Sequence, residues 1–131
     1  MRISVLRLLN LLAVPILFLF ACPNMGSSEN VHPERYYQLI WCDDRDGRVE
    51  VVLSDKTRCD CVTSTHAVEI EFDYRWHSSI GQALWYGLRT DKKAGVVLIV
   101  TSVENLKYWI KLNDLVFKYS LPIDLWLLKA F

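Results

Sequence analysis

With 131 residues and a formal net charge of zero, the chain has room for one core and carries no basic excess. That argues against tight non-specific binding to duplex DNA, which needs several Lys or Arg on phosphates, although a small nuclease can work with a local patch. Of the 52% hydrophobic content, much sits in the first 22 residues, whose removal takes away two arginines and no acids and leaves the remainder slightly acidic.

Residues 1–22, MRISVLRLLNLLAVPILFLFAC, begin with Arg2 and Arg7 and continue with an apolar run from Leu8 to Phe20, broken by Asn10 and Pro15. A basic start followed by a short apolar run reads as a signal peptide. The run is shorter than the roughly 20 apolar residues of a spanning helix. Its end, LFAC, is similar to a bacterial lipobox, which makes a lipoprotein signal the companion reading. Either way the expectation is an exported protein: periplasmic, an envelope lipoprotein or secreted. It would touch the membrane only through the signal or a lipid anchor on Cys22, and a cytoplasmic location follows only if the start is misassigned.

Residues 23–32 are small and polar and read as a flexible leader, which leaves 33–131 as a single domain. Pro33 suits a helix start, and Tyr36, Leu39 and Ile40 recur at helical spacing behind it. DDRDGR is a turn centred on Asp46-Gly47, and VEVVLSD, RCDCVT and AVEIEF are three short strands of an antiparallel meander. Within AVEIEF, Val68, Ile70 and Phe72 face one way and Glu69 and Glu71 the other. SSIGQALWYGLRT predicts a helix with Ile80, Leu84 and Leu88 on one face. AGVVLIV reads as a strand covered on both sides, SVENLKYWIKLNDLVFKYS as a long amphipathic helix, and PIDLWLL as a closing strand. The order α-β-β-β-α-β-α-β implies a mixed central sheet with flanking helices, an α/β or α+β class.

Export permits a disulfide. Cys59 and Cys61, two apart on a strand, are expected on one face and unable to bridge each other, so Cys42 pairs with one of them. CDC lacks the two-residue spacer of zinc sites. His66 falls in a turn and reads as a loop residue. The five dispersed tryptophans read as core and rim.

A polar series runs through residues 59–86, and its order and setting resemble the PD-(D/E)XK nuclease superfamily, whose core is a helix, a three-stranded meander, a helix and a further strand. In that family an aspartate on the second strand and a Glu-x-Lys on the third bind a divalent metal. Asp60 matches the aspartate and Glu69 the glutamate, Glu34 matches an acid some members carry on the first helix, and Gln82 to Tyr86 match a Gln-x-x-x-Tyr helix motif. More narrowly, RCDCVTSTHAVEIEF, IGQALWYGL, AGVVLI and LPIDLWLL are together similar to a family of small bacterial proteins of unknown role placed in that superfamily.

The resemblance implies a metal-dependent nuclease acting on DNA or RNA. It implies Mg²⁺ or Mn²⁺ on Asp60, Glu69 and Glu34, and a restriction-endonuclease-like core. Where the family has lysine, however, this chain has Glu71, and Arg75 is the nearest cation that can take its place as an electrostatic clamp. The alternative is an exported, non-catalytic binding domain that keeps the nuclease fold.

Overall fold

The computed structural model describes residues 31–131. The export segment (1–22), Cys22 included, and all but the last two residues of the leader lie outside the described residues. The elements run α1 (Glu34–Asp43), β1 (Arg48–Val52), β2 (Arg58–Val62), β3 (His66–Phe72), a 3₁₀ turn (Asp73–Arg75), α2 (Trp76–Thr90), β4 (Lys93–Val100), α3 (Leu106–Lys118) and β5 (Ile123–Lys129). The five strands form one mixed sheet in the order β1-β2-β3-β4-β5. The first three pair antiparallel, and β3-β4 and β4-β5 pair parallel. This is an α+β fold with the expected order of elements.

Helix α1 covers one face of the sheet. Tyr37 and Trp41 pack there on Val68, Ile70, Val97 and Ile99. Helices α2 and α3 cover the other face, where Ala83 and Leu112 meet Val96, Leu98 and Val100. The alternation of β4 between these two clusters explains why AGVVLIV is apolar throughout: both faces of the strand are buried.

In α1 the buried face is rotated from the one its spacing predicts. Tyr37, Gln38, Trp41 and Cys42 are buried, while Tyr36, Leu39 and Ile40 are exposed. The cause is a disulfide from Cys42 to Cys61 on β2, with Cα atoms 5.8 Å apart, which holds Cys42 against the sheet. In the turn that follows, Asp46 adopts a left-handed conformation (φ 51°). A Cβ on Gly47 would stand 2.5 Å from Cys42 Sγ and 2.7 Å from Cys61 Sγ. Glycine is needed there for room beside the sulfurs. In α2, Leu88 is exposed and Gly87 takes the inward position against β4. Successive four-residue steps advance around a helix of 3.6 residues per turn, so the row begun at Ile80 drifts off the buried side.

Cys59 and Cys61 do not share a face. Cys61 packs with Cys42 and Val49 under α1, whereas Cys59 packs with Val51, Val62, Ala67 and Tyr86 on the α2 side. Both strands of the hairpin therefore change face between these positions. Val49 pairs with Cys61 and Val51 with Cys59, but Glu50 and Asp60 between them form no pair, and Glu50 lies at φ 54°. A left-handed residue twists the ladder locally and turns the side chains beyond it over.

Candidate active site

The twist at Glu50–Asp60 opens a fork between β2 and β3. Their pairing covers only Cys61–Val68 and Val62–Ala67. Beyond it, Asp60 Oδ2 accepts the backbone N–H of Ile70 at 2.8 Å, so a carboxylate stands where the next β2 carbonyl would be. Glu69, on the α2 side of β3, accepts from Gln82 Nε2 at 2.8 Å through Oε1. Its other oxygen is buried and has no donor among the described residues. The neighbour with which Glu69 interacts is the Asp60 carboxyl, itself an acceptor when ionised. Two acceptors in contact require a proton or a cation between them.

Glu71 forms the second half of the cluster. It is buried, and its Oε2 pairs with Arg75 Nη2 at 3.1 Å while Oε1 accepts the Phe72 N–H at 3.0 Å. Glu34, from the first turn of α1, hydrogen-bonds to the Glu71 carboxyl. Gln38, buried one turn further along α1, donates to Glu34 Oε1 at 3.2 Å.

The acids hold protons that free carboxyls lose. Burial, then the Asp60 and Glu71 charges, push Glu69 up to about 9. Burial, then the hydrogen bond and charge of Glu71, push Glu34 up to about 7. Burial raises Asp60 to about 6, against the pull of the Ile70 N–H and the hydrogen bond with Glu69. The proton within the Asp60–Glu69 pair therefore resides on Glu69, and Glu34 is the donor to Glu71.

Tyr86, one turn beyond Gln82, is buried in the cluster of Cys59, Val62 and Ala67. Burial and the nearby Glu69 and Asp60 charges raise its phenol well above the ordinary tyrosine range. It stays neutral. Cys59 is a free thiol that burial pushes up to about 12, with Sγ 3.4 Å from the Cys61 carbonyl oxygen. Such a thiol is neither nucleophile nor metal ligand near neutrality.

All seven residues singled out in the sequence thus lie around one fork, but the acids stand as two pairs, Asp60–Glu69 and Glu34–Glu71. Among the described residues no group of three or more His, Cys, Asp or Glu is disposed to hold a metal ion. The expected trio of Asp60, Glu69 and Glu34 is not a ready-made cage, because Glu34 bonds to Glu71. Two carboxylates still fit a Mg²⁺ that keeps several waters. The unpartnered oxygen on Glu69 and the retained protons are what an acidic site shows where positive charge is wanting.

Sequence reasoning passed over Gln38 and Asp73 and read His66 as a loop residue. Gln38 lies four residues after Glu34, the spacing that aligns side chains on a helix. Asp73 is fully buried and accepts the N–H and hydroxyl of Thr101 at 2.7 and 2.8 Å, joining the ends of β3 and β4. His66 opens β3 and does not lie in a loop. Its Nε2 is 2.7 Å from Asp124 Oδ2 on β5, and its Nδ1 is 2.7 Å from Thr65 Oγ1. The reach across β4 is open because Gly95 lies between, under the Trp126 ring.

Comparison with family models, with curated proteins and with solved structures finds no match to this chain.

Proposed function

We propose that this chain is an exported, metal-dependent nuclease-like protein that hydrolyses phosphodiester bonds. The observation that carries the reading is the convergence of four carboxylates, from α1, β2 and β3, at the fork between β2 and β3, with one buried oxygen of Glu69 unpartnered. The order helix, three-stranded meander, helix, parallel strand supports it as the arrangement of a restriction-endonuclease-like core. Export is supported by the Cys42–Cys61 disulfide. No described helix is long and apolar enough to cross a membrane.

In this reading Asp60 and Glu69 hold Mg²⁺ or Mn²⁺, with Glu71 and Glu34 as auxiliary acids. The bound ion supplies polarisation of a phosphoryl oxygen and a lowered pKa for coordinated water. Gln82 orients the Glu69 carboxyl through its amide. Arg75, always charged, stabilises negative charge developing on phosphate and removes no proton. Tyr86, neutral and buried, walls the site on the α2 side.

The test measures metal and chemistry apart. The purified chain should bind Mg²⁺ or Mn²⁺ in a calorimeter, and Asp60→Ala should abolish that binding with the fold retained. The wild type should nick DNA or RNA only when metal is present. Absence of metal binding at millimolar concentration would sink the enzyme reading.

One observation favours the alternative, a non-catalytic binding domain on the same fold. The residue in the lysine position is an acid, and Arg75 is already paired to it at 3.1 Å.

A further inference from the structure

Five aromatic rings run in contact from just before α1 to the 3₁₀ turn that follows β3. His32 stacks on Tyr36 with ring centroids 4.0 Å apart, Tyr36 meets Tyr37 edge-on at 5.3 Å, Tyr37 meets Phe72 edge-on at 6.0 Å, and Phe72 stacks on Tyr74 at 5.7 Å with planes 11° apart. The middle of the series belongs to the core, with Tyr37 buried at 5% exposed and Phe72 packed against it, whereas Tyr36 is 44% and Tyr74 60% exposed. The series therefore ends on both sides in a stacked pair that keeps an open tyrosine, one on α1 and one on the 3₁₀ turn. Burial does not account for the outer rings.

The middle of the series is what adjoins the acids: Tyr37 lies on α1 beside Gln38, which donates to Glu34 at 3.2 Å, and Phe72, whose N–H donates to Glu71 Oε1 at 3.0 Å, ends β3, with Tyr74 following in the 3₁₀ turn. Glu34 and Glu71 are hydrogen-bonded to each other. Two half-exposed cations neighbour the outer tyrosines in the chain, Arg35 before Tyr36 and Arg75 after Tyr74; they pair with Glu50 at 3.7 Å and Glu71 at 3.1 Å.

Exposed rings interleaved with arginines form the surface that single-stranded nucleic acids use, because every unpaired base has a face to stack and every linkage a charge to neutralise. A duplex keeps its bases stacked on one another and offers the rings nothing. Resting on the phosphodiesterase reading above, we infer that the site takes single-stranded nucleic acid, with unpaired bases stacked on Tyr36 and Tyr74 and the intervening backbone laid across the Glu34–Glu71 mouth of the fork. Deoxyribose and ribose strands share this chemistry.

The experiment uses the full chain in chelator, so that binding is read without cleavage, and follows fluorescence anisotropy with labelled oligo-dT, oligo-U and a duplex of equal length. Single strands should bind at least tenfold more tightly than the duplex. The double variant Tyr36→Ala, Tyr74→Ala should lose roughly ten- to a hundredfold in single-strand affinity, and Tyr36→Phe, Tyr74→Phe should keep it, since stacking needs the ring and not the hydroxyl. Equal affinity for duplex and single strand, or an alanine variant indistinguishable from wild type, overturns the inference. Asp60→Ala separates it from the catalytic reading, because that variant should still bind single strands in chelator. Tyrosine-dependent binding without any metal-dependent cleavage by wild type supports the stacking surface and overturns the catalytic reading, whereas cleavage that survives loss of both tyrosines does the reverse.

Discussion

Gln82 on α2 donates its side-chain N–H to Glu69 Oε1 on β3 at 2.8 Å, while the other, buried oxygen of Glu69 has no donor among the described residues and faces the Asp60 carboxyl. Glutamine in place of Glu69 would offer a permanent amide donor toward Asp60 while its carbonyl still accepts from Gln82. In the absence of metal, Glu69→Gln is therefore expected to be more stable than wild type at pH 8, by about 1 kcal/mol or roughly 4–8 °C in melting temperature. Differential scanning fluorimetry of the two proteins decides it, and an equal or lower melting temperature for the variant would show that the pair is satisfied as it stands.

The retained protons give stability a definite slope in pH. Glu34, Asp60 and Glu69 all have folded-state pKa values above their ordinary range, at about 7, 6 and 9. The folded state therefore binds more protons than the unfolded one between the ordinary carboxyl range and about pH 9, and stability is fully present below that window and lost as pH rises through it. Urea midpoints of the metal-free protein are expected to fall steadily from pH 5 to pH 9. Midpoints that stay flat over the same range would mean the acids ionise near the ordinary carboxyl range in the folded protein.

Metal must displace those protons. At pH 7 the Glu69 carboxyl holds its proton and Glu34 is near half-titration, so Mg²⁺ or Mn²⁺ binding is expected to release protons to the buffer. Titrations in two buffers of different ionisation enthalpy would give different apparent heats. Identical heats would place the ion elsewhere.

The pairing of Glu71 with Arg75 leads to a substitution with opposite outcomes under the two functional readings. Glu71→Lys removes the acid that occupies Arg75 and installs a cation beside the fork. Gain of metal-dependent cleavage is expected if the site is a nuclease held back by its own acid. Cleavage that falls from a measurable wild-type rate would make Glu71 a working ligand.

The disulfide is expected to contribute about 3 kcal/mol, given the 19-residue separation of Cys42 and Cys61. Gly47→Ala forces a methyl group against both sulfurs and should cost roughly 1–3 kcal/mol in the oxidised protein. The penalty should shrink on reduction, when the sulfurs can move. Denaturation of both proteins with and without reductant tests the pair of expectations, and a penalty unchanged by reductant would place the crowding on the backbone.

Periodicity was a good guide wherever one physical effect dominated. The doubly buried β4 and the split of β3 between acids and aliphatic side chains follow from burial alone, and both are seen. The rotation of α1 was legible in part: the expected bridge from Cys42 to β2 already turns Cys42 toward the sheet, but the apolar spacing of Tyr36, Leu39 and Ile40 was followed in place of Tyr37 and Trp41, which share the Cys42 side. The face change at Cys59 was not legible, since alternation assumes extended backbone and Glu50 is left-handed. His66 misled because its partner, Asp124, lies 58 residues away across a strand whose glycine leaves the way open.

The left-handed Glu50 has a consequence for life in a crowded solution. Strand β1 is one rim of the sheet, and a rim offers unpaired backbone groups to any passing chain. Here the strand spans Arg48–Val52, so the break at Glu50 leaves only two residues on either side of it. Glu50 is also gripped by Arg58 at 3.0 Å and approached by Arg35 at 3.7 Å, which puts charge at the break. A foreign strand finds no straight ladder to extend. The kink that swings Asp60 into the fork thus also guards the sheet against edge-to-edge aggregation.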